Sequence, residues 1–265
     1  MNIFWKEMKS YRKSLIFWSI GVFLMVASGM AKYAGLSSSG QSMNDLMADM
    51  PKSLKAILGI GALDLNTASG YYGLLYLYLL LMATIHAAML GANIISKEER
   101  DKTSEFLFVK PVSRNRIITS KLLAAFANVV IFNLVTFISS ILIVGKYSDG
   151  ESINTDIATT MLGMFIVQIL FLVIGTAIAA VKKKSKSAGS IATGILLLTF
   201  IISVAIDLNE KIEGLKYITP FKYFEPKNVM YGGGLDGVFV LLSLVLIVVL
   251  FLATYVFFEK RDLNA

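Results

Sequence analysis

At 265 residues, with 56% hydrophobic and 16% charged side chains and a mean hydropathy of +0.70, the chain is too apolar for a soluble domain, where about a quarter of residues carry charge. Its formal charge of +7 would suit nucleic acid in a soluble protein. Here the basic residues flank long apolar runs and read as topology signals, so lipid is the expected partner and nucleic acid is not. The absence of cysteine excludes disulfides and thiolate metal sites, and a single histidine leaves any metal site to carboxylates.

A bilayer core about 30 Å thick requires roughly 20 apolar residues of helix. In chain order, residues 1–14 come first, where Phe4, Met8, Tyr11 and Leu15 recur at helical spacing with Lys6, Lys9, Arg12 and Lys13 largely on other faces. That stripe predicts an amphipathic helix lying on the inner leaflet. It also argues against the competing reading of a cleaved signal peptide ending near Gly29-Met30-Ala31. Apolar runs follow at 15–30, 71–95, 122–144, 157–181, 188–206 and 237–258. They are continuous and do not alternate, which predicts helices and not barrel strands. The expected fold is all-α and polytopic, one membrane domain with six transmembrane helices.

Residues 31–70 contain Ser37-Ser38-Ser39-Gly40 and then a short amphipathic helix near Met43–Met47, ended or bent by Pro51. Residues 145–156 read as a polar hairpin between antiparallel spans. Residues 207–236 mix charges with Tyr217, Phe221, Tyr223, Phe224 and Tyr231, consistent with either a loop on the bilayer surface or a re-entrant cap. Of the 25 Lys and Arg, 17 fall in the N-terminus, residues 96–121, residues 182–187 and the C-terminus. The positive-inside rule therefore places both termini in the cytoplasm. Lys182–Lys186 reads first as an anchor to anionic lipid.

Residues 96–121 carry the functional inference, because a plain connection between neighbouring helices takes 2–8 residues. A charged arm from Glu98 turns apolar at Phe106, Leu107, Phe108 and Val109. Pro111 ends that helix, and Ser113 is placed to cap the next one by accepting from a backbone N–H near Asn115 or Arg116. The product is a helical elbow over 98–114 with an apolar tip. It suits either the groove of a soluble partner or the lipid surface.

Here the chain resembles the ABC-2 type permeases, the transmembrane subunits of type-two ABC exporters. Their second and third spans are joined by a pattern that stands here as Glu99, Lys102-Thr103, Glu105, Phe106-Leu107, Pro111-Val112-Ser113-Arg114 and Lys121. Lys102 stands where the family usually has Gly, which weakens the bend expected before Thr103. Met50-Pro51-Lys52-Ser53-Leu54 with Leu58-Gly59 and Ser69-Gly70-Tyr71, and Tyr217 to Phe224 with Gly232–Gly234, are similar to the members found with drug, peptide and ion exporters. The resemblance implies that the elbow is a coupling helix meeting a cytosolic ABC ATPase. It implies further that a second permease chain, identical or homologous, completes the path, and that the location is a bacterial plasma membrane. ATP and Mg are then expected in the partner, with no cofactor in this chain.

No phosphate-binding G-x-x-x-x-G-K-[ST] loop, H-E-x-x-H or G-x-S-x-G motif occurs, so neither nucleotide hydrolysis nor protease chemistry is expected here. His86 lies mid-span and allows a proton relay or, more simply, packing. Asn128, Asn133 and Gln168 read as interhelical hydrogen-bonding amides. The rival class is a non-transporting anchor, immunity or signalling protein docking a soluble partner through the same elbow. A channel is disfavoured because no span carries a row of acidic residues.

Overall fold

The computed structural model describes residues 3–40, 42–60, 63–100, 113–148, 153–182 and 187–260. Among them there is no strand, and six helices are long and apolar enough to cross a membrane. The helices are α1 (Ile3–Ser38), α2 (Met43–Ala48), α3 (Lys52–Leu58), α4 (Ala68–Arg100), α5 (Arg114–Val144), α6 (Asn154–Val181), α7 (Ala188–Leu208), the single turn α8 (Pro226–Val229) and α9 (Gly237–Glu259). The six spans are α1, α4, α5, α6, α7 and α9.

Residues 3–14 do not form a separate helix. From Ile3 the chain is one helix of 36 residues, about 54 Å at 1.5 Å per residue. Nothing between Ile3 and Leu15 is Gly or Pro, so no residue interrupts the ladder. Phe4, Met8 and Tyr11 pack against the buried core of the protein. The stripe expected to face lipid thus faces the bundle, because α4 and α5 also run on and offer it an apolar surface. Only one line of α1 is buried, namely Glu7, Leu15, Val22, Val26, Met30 and Tyr33.

The centre of the bundle is α4 against α6, each buried over most of its circumference. Their seam is built from small side chains: Ala88, Gly91 and Ala92 meet Gly175 and Thr176. A Cβ on Gly91 would stand 2.2 Å from the Leu172 carbonyl oxygen, and one on Gly175 would stand 2.4 Å from that of Ala88. Such approach lets dispersion hold helices together in lipid, where the hydrophobic effect does not. Around this pair, α5, α7 and α9 present apolar outer faces; Leu142, Leu198, Ile201, Val238 and Leu241 are all more than half exposed.

Six spans bring the chain ends to one end of the bundle. There Arg114 at the start of α5 donates to the Glu259 carbonyl at the end of α9 (2.8 Å). At the opposite, far end the connections are ordered by side-chain caps. Ser42 caps α2 and Asp236 caps α9, while Pro51 separates α2 from α3 and stands as the N-cap of α3. Residues 219–225 fold back into the bundle: Phe221 lies 5.6 Å from Phe171 of α6 and 5.4 Å from Phe200 of α7, ring to ring. Irregular backbone at such depth is tolerated where protein surrounds it.

Candidate coupling site at the termini end

The two arms of the elbow are the last turn of α4 and the first turns of α5. α4 continues without a break through Glu98 and Glu99 to Arg100. α5 begins at Arg114 because Ser113, in extended conformation (φ −64°, ψ 147°), accepts a hydrogen bond from the Arg116 N–H. That cap satisfies one of the donors a helix start leaves open. Thr103, Glu105, Phe106, Leu107, Pro111 and Val112, together with the rest of 101–112, lie outside the described residues. Of the expected coupling residues, the structure therefore places Glu99, half-buried on α4, and Ser113 and Arg114 at the head of α5.

Between the arms sits a buried charge cluster. Lys121 of α5, 1% exposed, donates to both carboxylate oxygens of Glu98 and to the Ile94 carbonyl, each at 2.7 Å, and lies 3.3 Å from Glu7 of α1. Lys97 stands 3.8 Å from the other Glu7 oxygen and donates to Ser10. Two carboxylates and two ammoniums thus balance in charge while joining α1, α4 and α5. Buried ions are retained only with close partners, and the ammonium of Lys121 has three hydrogens to place. Glu98, the Ile94 carbonyl and Glu7 accept them.

Sequence reasoning singled out Lys121 as the end of a motif and Glu98 as the start of the charged arm, but joined neither to Glu7. The available signal was the position of Glu7 on the same helix as the apolar stripe. Arg100 of α4 donates to Asn93 (2.8 Å), and Thr119 of α5 meets the Tyr255 hydroxyl of α9 (2.8 Å). The first and last spans, α1 and α9, are therefore each fastened to an arm of the elbow.

The intramembrane polar residues fall into two groups. Asn133 donates to Gln168 across the α5–α6 contact at 3.0 Å. His86 stacks on Phe132 (5.0 Å, 20°) with Trp18 at 5.7 Å. Asn128 donates to the Ala124 carbonyl and to the Met8 sulfur. His86 and Asn128 border a small cavity of about 60 Å³ between α1, α4 and α5, and His86 Nδ1 and Asn128 Oδ1 have no hydrogen-bond partner among the described residues. They are not joined to the Asn133–Gln168 pair. No group of three or more potential metal ligands occurs among the described residues.

A six-span helical membrane protein whose second and third spans are tied at the termini end to its N-terminal helix is the class this geometry defines. Over residues 1–263 the chain matches the model of the ABC-2 family transporter proteins, and it belongs to that family. No curated protein matches it. The chain is accordingly a membrane permease of an ABC transporter, a kind of subunit that associates with ABC ATPases and is not itself the catalyst.

Proposed function

We propose that the chain is the transmembrane half of an ATP-driven exporter in a bacterial plasma membrane, with the termini end in the cytoplasm. Two such permease chains, identical or homologous, enclose the path, and two cytosolic ATPase subunits dock on the elbow at 98–114. ATP and Mg are bound by those partners. The observation that supports this reading most is the buried tie of Glu98 and Lys121 to Glu7. A segment that merely connected two spans would need no such fastening, whereas a lever must be stiff at its root. Force applied at Phe106 and Leu107 then moves α4 and α5 together and carries α1 with them. The seam at Gly91 and Gly175 offers a smooth surface along which α4 and α6 can shift, as packed helices do in shear motions.

The test is co-purification. Phe106→Ala combined with Leu107→Ala should leave insertion and yield intact and release the ATPase from the permease. Full retention of the ATPase by the double variant overturns the reading.

A further inference from the structure

At the far end, away from the coupling site, α3, α4, α7 and residues 221–227 enclose a cavity of about 360 Å³, within the size range of small-molecule sites. Its floor is apolar and aromatic: Tyr76, Leu77 and Leu80 of α4, with Phe200, Phe221 and Phe224. The Tyr76 hydroxyl is engaged by the Thr160 carbonyl (3.1 Å), so its ring faces the cavity without a free polar tip. Leu80 lies twelve residues into α4, about 18 Å along the helix at 1.5 Å per residue. The lining on α4 runs from Gly73 to Leu80, about 10 Å along the helix, which accommodates part of an extended hydrocarbon tail.

The rim has the opposite character. It carries Lys52, Lys55, Lys222 and Lys227 against only Asp207 and Glu225. Lys222 is held by Asp207 (2.5 Å) and Glu225 (2.6 Å), and Lys227 by Glu225 (3.3 Å). The two carboxylates are therefore used by the two inner lysines. Among the described residues Lys55 donates only to the neutral Ala48 carbonyl (2.7 Å) and Lys52 makes no ion pair. These two stand three residues apart on α3 and so share a face. Leu54 and Ile57 of the same helix are exposed (45% and 53%), the pattern of a helix seated at a membrane surface. A positive lip over an apolar floor, open at the level where lipid headgroups lie, is complementary to one kind of molecule.

We infer that this cavity binds an amphiphile with a single anionic headgroup, its tail on the Tyr76–Phe200–Phe221 floor and its phosphate, sulfate or carboxylate against Lys52 and Lys55. The site is separate from the elbow, and it holds whether or not the coupling reading is correct. The amphiphile is either an anionic lipid of the bilayer or a free compound of the same chemistry. These sources share the recognition and differ in supply.

The chain lacks cysteine, so Ile57→Cys gives a unique attachment point for an environment-sensitive fluorophore beside the rim. The full-length permease in nanodiscs of zwitterionic lipid is titrated with dodecyl phosphate, with dodecyltrimethylammonium as the charge control and ethyl phosphate as the tail control. Only dodecyl phosphate should give a saturable response. Lys52→Glu with Lys55→Glu, both away from the core, should weaken it by roughly tenfold or more, given the contribution of each surface lysine to anion binding. Equal response to the cationic detergent, or an unchanged affinity in the double variant, overturns the proposal. Repeating the titration in nanodiscs containing phosphatidylglycerol separates the sources. Competition there assigns the site to the bilayer's own anionic lipid, and an unshifted curve assigns it to a free amphiphile. The measurement is made without any ATPase, so its failure leaves the co-purification test untouched, and the reverse also holds.

Discussion

Lys121 and Glu98, 23 residues apart in sequence, form a two-pronged ion pair at 2.7 Å inside the protein, where Lys121 is 1% exposed and Glu98 8%. The value of this pair lies in its asymmetry. Forming it gains little over an apolar contact of the same shape, whereas removing one member strands the other as a buried charge, at about 3–5 kcal/mol. Lys121→Met should therefore lower the unfolding temperature of the purified permease sharply, since it removes the buried ammonium shared by Glu98 and Glu7 and leaves Glu7 only the longer contact to Lys97 (3.8 Å). Adding Glu98→Gln and Glu7→Gln to Lys121→Met should recover much of the loss. Thermal unfolding of the single and triple variants in detergent decides this, and equal damage in both would mean that the cluster does not act through its charge balance.

The close approach of α4 to α6 gives a second expectation. Gly91→Ala sets a methyl group 2.2 Å from a backbone carbonyl oxygen, and backbone is the atom class least able to yield. The helices must separate, at a cost typical of overpacking, about 1–3 kcal/mol. Gly194→Ala in α7 serves as the control, because a Cβ there meets nothing within 4 Å. It should be neutral or stabilising by up to about 1 kcal/mol through helix propensity. Yield and unfolding temperature of the two variants, measured side by side, check the contrast.

These two features mark where sequence reasoning ends. The six spans are visible in the sequence because each contains a run of apolar residues that only lipid or a deep core accommodates, and the Ser113 cap is visible because capping is local. The true start of α1 is not, since Glu7, Ser10 and Ser14 break the apolar run long before the helix ends. Their burden is met by partners more than 80 residues away, as Glu7 is by Lys121 and Ser10 by Lys97. Lys121 ends one motif and Lys222 stands inside another, but neither position announces that the side chain is buried and paired. Gly91 and Gly175 are two among 20 glycines, and only the crossing of their helices distinguishes them. Local chemistry is legible in one dimension; pairings across the bundle are set by which helices become neighbours.

Asn133 and Gln168 supply a case where the expected effect is small. Their 3.0 Å hydrogen bond joins α5 to α6, but within a membrane each amide finds alternative partners in the unfolded reference state too. Interhelical bonds of this kind average about 0.6 kcal/mol. Asn133→Leu should thus shift stability by no more than about 1–2 kcal/mol and leave the fold intact. A collapse in yield would show that the pair holds the bundle together, and resistance of the variant to unfolding at wild-type temperatures would confirm its modest weight.

The far-end segment should respond to alkaline pH through Tyr223. Its hydroxyl is buried and donates to the Tyr217 carbonyl, while its ring stacks on Phe239 at 4.8 Å. Burial disfavours the phenolate and pushes its pKa from 10.0 up to about 12. The folded state therefore holds its proton more tightly than the unfolded chain. By linkage this contributes stability that is complete below pH 10 and falls away as pH rises from about 10 to about 12, because the unfolded chain ionises first. Tyr223→Phe loses the hydrogen bond to Tyr217 and so starts from a lower stability, but it lacks the ionisation. Unfolding curves collected from pH 9 to pH 12 should consequently fall less steeply for the variant than for the wild type across that window, even though other tyrosines titrate in both. Parallel curves would show that Tyr223 ionises freely in the folded state.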